Sequence, residues 1–101
     1  MTTAEKIATR LEKALSPAHL EIVDESGQHV GHAGAAAGGS HFACVIVAEA
    51  FRGRSTLERH RAVYAALGEL MQREVHALAL RTLDPTEWSE KSGRGRETRT
   101  F

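Results

Sequence analysis

The sequence predicts an α+β domain in which helices cover one face of a three-stranded sheet. Three observations favour this class: an amphipathic helix pattern opens the chain, three short segments show strand-like patterns, and a longer helix pattern precedes the third. The 101 residues suit one small domain, and 42% apolar residues provide a core. We expect the domain to span 1–88. Residues 89–101 are polar and charged, which predicts a disordered tail.

The first helix is predicted over Thr2–Leu15, where Ile7, Leu11 and Leu15 recur at helical spacing. Glutamates, lysines and an arginine supply the solvent-facing side. The segment His19–Glu25 alternates apolar and polar side chains, which predicts a half-buried strand. Neither element indicates chemistry of its own.

The stretch Asp24–Phe42 is rich in glycine and alanine and contains His29, His32 and His41. The second strand is predicted over Ser40–Ala50, and two strands joined in this way are most simply antiparallel. The connection is longer than a hairpin needs, and long connections in small domains are often functional. A solvated loop with incidental histidines is the alternative.

A helix is predicted from Ser55 to about Arg73, and a break near Arg59–Arg61 dividing it into two helices stays open. The third strand is predicted over Val75–Leu83, followed by a short helix that carries Trp88. The buried stripe of the long helix is expected to contain Leu57, Val63, Leu67 and Leu70, extended by Tyr64 and Met71.

The formal net charge is zero, which disfavours a dominant role on nucleic acid or on a membrane surface. The single cysteine, Cys44, excludes an internal disulfide, fits a reducing compartment and is expected to be buried. No membrane-spanning run or signal-peptide pattern is visible in the sequence, so we expect a cytoplasmic protein. An organellar protein whose transit peptide has been removed fits equally.

We expect no enzymatic activity. Cys44 has no evident base, and the adjacent Asp24 and Glu25 would point to opposite faces of a strand. A metal site is better supported, because imidazole is a common metal ligand, although the histidine spacing matches no established metal motif. A partial ligand shell would take its other ligands from a partner chain or a small thiol.

Nucleic-acid binding is a third class of function to consider, after catalysis and metal binding. Basic residues cluster around the start of the long helix, and a helix break there would resemble a helix-turn-helix. The cluster comprises Arg52, Arg54, Arg59, His60 and Arg61. A solvated helix start is the alternative interpretation.

Several runs together resemble the BolA family, and the resemblance extends from Ile7 to Trp88. The runs in the second half are FRGRS at 51–55, RHRAVY at 59–64, VHALAL at 75–80 and TEW at 86–88. Those in the first half are LEIVDES at 20–26 and SHF at 40–42.

This resemblance implies a fold similar to the type II KH domain, α-β-β-α-α-β-α, and so favours two helices over one. It also implies a partner, a monothiol glutaredoxin of the CGFS type, with which a 2Fe–2S cluster is shared. The glutaredoxin cysteine and a glutathione thiolate would ligate one side. His76 and His29 would ligate the other, with His32 as the alternative to His29.

The same resemblance implies a structural role for His41, and for His60 a role on the helix surface or in its hydrogen bonding, not as a ligand. It implies cluster trafficking or iron and redox sensing as the function. Because bacterial relatives are described as transcriptional regulators, DNA binding through the basic cluster is the alternative function.

Overall fold

The computed structural model describes residues 1–25 and 40–91, which form four α-helices around a three-stranded sheet. In chain order the elements are α1 (Thr3–Leu15), β1 (His19–Asp24), β2 (Ser40–Val47), a 3-10 turn (Glu49–Phe51), α2 (Thr56–Leu67), α3 (Leu70–Arg73), β3 (Val75–Leu83) and α4 (85–91). The predicted α+β class and element order are confirmed. The last helix continues past Trp88 to residue 91, and the rest of the predicted tail, 92–101, lies outside the described residues.

The sheet has the strand order β1-β2-β3. β1 and β2 pair antiparallel, as predicted, whereas β2 and β3 pair parallel. A parallel pair requires a crossover connection, and α2 and α3 provide it. The parallel pairing brings the starts of β2 and β3 to the same edge of the sheet.

The core lies between one face of the sheet and the helices α1, α2 and α3. Ile7 and Leu11 of α1 are fully buried there, and so is Ile46 of β2. Cys44 is buried in the same cluster, as predicted, and burial raises the pKa of its thiol to about 11. Cys44 is therefore a protonated core residue.

The break in the long helix falls at Gly68, not near Arg59–Arg61. The helix α2 begins at a capping box between Ser55 and Glu58 and continues unbroken to Leu67. Gly68 then adopts φ +54°, a left-handed conformation that L side chains rarely adopt. The two helices that the family resemblance implies are confirmed, whereas the open alternative of a break near Arg59–Arg61 is wrong.

Two residues of the predicted buried stripe on α2 face solvent. Leu57 is 58% exposed and Tyr64 is 42% exposed, whereas Val63 and Leu67 are fully buried. Arg59 lies one turn before Val63 and takes the stripe position that Leu57 was predicted to hold.

The helix α4 covers one end of the opposite sheet face. His19, Val47 and Leu83 pair across the three strands in one row, and Val47 and Leu83 are 0% and 4% exposed. The Trp88 ring of α4 stacks on His19, with 4.7 Å between centroids. The remaining rows of this face are open. Within 1–25 and 40–91, no helix has the length and apolar character needed to cross a membrane.

Candidate functional site

His76 lies at an irregularity in the pairing of β2 with β3. Ser40 pairs with Val75, but the next residue, His41, pairs with Ala77, so β3 has one extra residue at His76. Such bulges redirect side chains and are frequent near functional sites. The His76 side chain is exposed, while Val75 before it is buried.

The rings of His41 and His76 stack at this edge of the sheet, with 5.2 Å between centroids and 30° between ring planes. His41 is half-buried, and the sequence predicted only a structural role for it. The two histidines come together because β2 and β3 align in parallel. That alignment joins segments that are distant in the sequence, so the residue pattern within either strand does not predict it.

The predicted ligands His29 and His32 lie outside the described residues. The two ends of the segment that carries them are described. The Glu25 amide donates to the His41 carbonyl at 2.8 Å, so β1 stays joined to β2 beyond Asp24. Glu25 and Ser40, the described residues that flank this segment, therefore lie at the edge of the sheet where His76 lies.

The turn into β3 is anchored to α1 through Glu74. Its carboxylate accepts hydrogen bonds from the Lys6 ammonium and the Thr3 hydroxyl, both at 2.8 Å. These bonds hold the pKa of Glu74 below its usual value. The backbone that presents His76, two residues later, is thus fixed to the body of the domain.

The imidazoles of His41 and His76 meet at this edge, where Asp24 and Glu25 also lie. Cys44 is excluded as a ligand because its thiol is buried in the core and its pKa is raised. Among the residues that the structure describes, no group of three or more His, Cys, Asp or Glu side chains is arranged to hold a metal ion.

The basic cluster is not one surface, because Arg59 is buried. Its guanidinium donates to the Glu87 carboxylate at 2.7 Å and to the carbonyls of Arg54 and Thr82 at 2.9 and 3.1 Å. Only 7% of Arg59 is exposed. The prediction that Arg59 belongs to a binding surface is therefore wrong, since its donors are used within the fold.

Arg59 connects α2 to the start of α4. Asp84 caps α4 by accepting from the Glu87 amide at 2.8 Å, and the Glu87 carboxylate accepts from the Asp84 amide. The bond from Arg59 holds the pKa of Glu87 below its usual value. Arg59 also lies over the Phe51 ring, 5.9 Å from its centroid.

The rest of the cluster lies at the surface. Arg54 and Arg61 are exposed and His60 is half-buried. Arg52 is exposed but donates to Glu49, and to the Thr86 hydroxyl at 3.0 Å. Within 1–25 and 40–91, the side chains of Arg54 and Arg61 are thus the exposed arginines of this cluster that form no hydrogen bond.

The fold and the edge histidines define a small α+β domain that presents imidazoles beside a parallel strand pair. The chain belongs to the BolA-like protein family, whose family model matches residues 11–87. The solution structure of mouse BolA1 protein superposes with a TM-score of 0.76 at 40% identity, covering 91% of this chain and 72% of the mouse chain. The BolA domain of Arabidopsis thaliana SufE1 gives 0.74 at 38% identity, covering 86% and 96%.

Human BolA-like protein 1 is 46% identical over 86 residues, which are 85% of this chain and 61% of the human protein. The chain thus spans about three fifths of that relative. Escherichia coli (strain K12) DNA-binding transcriptional regulator BolA is 43% identical over 88 residues, which are 87% of this chain and 81% of the bacterial protein. The names of these two relatives describe a BolA-like protein and a transcriptional regulator, and neither name is that of an enzyme. The names are consistent with the expectation that this chain has no enzymatic activity.

Proposed function

We propose that this chain supplies histidine ligands to a 2Fe–2S cluster shared with a monothiol glutaredoxin, for cluster trafficking or for iron and redox sensing. The observation that carries the proposal is the position of His76. It is exposed on a bulge, with the His41 ring 5.2 Å away and the ends of the His29–His32 segment at the same edge.

The ligand count supports a shared cluster. Each iron of a 2Fe–2S cluster takes two protein ligands beside the bridging sulfides, and two imidazoles can replace two thiolates on one iron, as in Rieske centres. Two histidines from this chain satisfy one iron. The second iron then takes two thiolates from elsewhere, for which the glutaredoxin cysteine and a glutathione carried by that partner are the candidates.

Imidazole ligands affect the stability and potential of the cluster. Neutral imidazole in place of thiolate removes negative charge and raises the reduction potential. Protons compete with iron for imidazole, so the cluster becomes less stable as pH falls. These properties favour a cluster that is transferred or sensed over a permanent electron carrier.

The second ligand beside His76 has three candidates. His29 is favoured by the family resemblance, with His32 as its alternative. His41 joins them because its ring contacts that of His76.

The test is reconstitution of the complex from the chain, a monothiol glutaredoxin, glutathione, ferrous iron and sulfide, followed by visible absorption and circular dichroism. His76→Ala is expected to abolish or strongly alter the heterodimer spectrum. Single alanine variants of His29, His32 and His41 then identify the second ligand. His60→Ala is the matched control, since His60 lies on α2 away from this edge. An unchanged spectrum in His76→Ala would refute the ligand assignment.

DNA binding is the second candidate function, favoured by the name of the E. coli relative and by the exposed Arg54 and Arg61. Binding of duplex DNA should weaken steeply with salt, and Arg61→Ala should reduce the salt slope by about 1. Fluorescence anisotropy at several salt concentrations measures both. A lack of binding at low salt would remove this candidate.

A further inference from the structure

We infer that the open part of the sheet face opposite the core is the surface on which the glutaredoxin partner docks. This inference rests on the proposed function and assigns a docking surface beside its cluster ligands. The open rows of this face comprise Glu21, Val23, Ala43, Val45, Ala79 and Arg81.

This face is apolar and shallow. The open rows of residues line a cleft of about 240 Å³, and alanine and valine side chains form the floor of this cleft. Val23 is 50% exposed on this face, whereas Leu20 and Ile22 of the same strand pack against the core. Small floor residues allow the backbone of a partner element to approach closely.

The two ends of the face differ. At one end α4 occupies the surface, with Trp88 stacked on His19. At the other end lie His41 and His76. A partner that brings thiolates to iron held by His76 must lie against this end, and the apolar rows continue directly from His41 through Ala43 to Val45.

Charges flank the floor on both sides. Glu21 and Arg81 occupy the outer strands in register with Val45, so they lie about two strand spacings, roughly 10 Å, apart. The Glu21 carboxylate is 2.6 Å from His19 Nε2. The Arg81 side chain forms no hydrogen bond or ion pair with any other residue of 1–25 and 40–91. The face therefore fits a partner that presents a carboxylate to Arg81 beside an apolar patch.

A second copy of this chain fits the face less well. Two aligned sheets pack about 10 Å apart. If the two copies are related by a two-fold axis parallel to β2, Glu21 of each copy faces Arg81 of the other. In that arrangement both α4 helices lie at the same end, where each meets the sheet of the other copy. A partner approaching from the histidine end avoids this contact.

The experiment measures heterodimer affinity by calorimetry with a monothiol glutaredoxin bearing the reconstituted cluster. Val23→Lys and Arg81→Glu are each expected to weaken binding at least about tenfold, because each puts an unpaired or repulsive charge into the interface. Leu57→Lys on α2 and Lys13→Glu on α1 are matched controls that put the same new charges at exposed positions, and they should stay within about twofold.

Amide chemical shifts of the wild-type chain give a second test that needs no variant. In the ¹⁵N-labelled chain, the amides of Ala43 and Ala79 should shift on titration with glutaredoxin, while those of Leu57 and Lys13 stay unchanged. Thermal unfolding of each variant shows whether it folds. Failure of the wild-type chain to form any cluster complex would overturn the proposed function itself.

If the wild-type complex forms, wild-type affinity in both Val23→Lys and Arg81→Glu would overturn the docking surface alone. A concentration-dependent homodimer that Val23→Lys abolishes, with glutaredoxin affinity unchanged, would assign the face to a second copy instead.

Discussion

Replacement of Arg59 by alanine tests whether this side chain anchors α4. Arg59 and Asp84 are each 7% exposed, and 3.9 Å separates their charged groups. Alanine at 59 removes the donors that bind the carboxylate of Glu87 and the carbonyls of Arg54 and Thr82. The buried carboxylate of Asp84 would then lose its compensating charge.

The expected loss follows from the burial of these groups. Removing one partner of a buried charge pair costs about 3–5 kcal/mol. The Glu87 side chain is 43% exposed, so water partly replaces the lost bond there. We therefore expect the lower end, about 3 kcal/mol, which corresponds to a fall in Tm of about 12 °C or more in a domain of this size.

Urea unfolding measured by far-ultraviolet circular dichroism gives the free energy of unfolding. The fluorescence of Trp88, the single tryptophan, reports α4 separately. Arg59→Lys keeps the charge but not the forked donor geometry, so an intermediate loss is expected. Arg61→Ala, at an exposed position two residues away, should change stability by less than about 0.5 kcal/mol. A loss below about 1 kcal/mol in Arg59→Ala would refute the anchoring role.

Three further predictions concern the fold. Gly68→Ala should cost about 1 kcal/mol or more because φ is +54°, and undiminished stability in urea unfolding would contradict this. The hydrogen bonds from Lys6 and Thr3 lower the pKa of Glu74 from 4.5, so their stabilisation is present above that value and is lost as pH falls through the folded pKa. Glu74→Gln should therefore lose less stability than wild type between pH 7 and pH 3, and parallel curves would contradict this. Alkylation of Cys44 at pH 8 should be at least roughly 100-fold slower in the native chain than in urea, since its pKa is about 11, and equal rates would argue against burial.

Local sequence patterns were sufficient to predict most of the helices and strands. The helical spacing of Ile7 and Leu11 and the alternation within His19–Glu25 predicted α1 and β1 nearly to the residue. Capping-box spacing placed the starts of α1 and α2 because both signals lie within four residues of sequence. The antiparallel pairing of β1 with β2 followed from their direct connection.

The misassignment of Leu57 and Arg59 on α2 has one physical source. An arginine is rarely buried, so Leu57 was assigned to the core stripe and Arg59 to the surface. The buried position of Arg59 depends on Asp84 and Glu87, which lie more than twenty residues later in the sequence. A break at the basic run Arg59–Arg61 was the alternative that the sequence left open, whereas Gly68 supplies the conformation that ends α2.

The candidate site was predictable only in part. The family resemblance identified His76, but the bulge that exposes it depends on the register between β2 and β3. The His41 contact depends on the same parallel pairing, which no local pattern encodes. The assignment of His29 or His32 stays a prediction, since both lie outside the described residues.

The most direct test of histidine ligation is electron–nuclear spectroscopy on the reduced heterodimer. The chain is labelled with ¹⁵N-histidine and the glutaredoxin is left unlabelled, so any ¹⁵N hyperfine coupling to the cluster arises from imidazoles of this chain. We expect couplings from two imidazole nitrogens, one of which disappears in His76→Ala. A reduced cluster without ¹⁵N coupling, or with couplings that His76→Ala leaves intact, would contradict the proposal that His76 ligates the shared cluster.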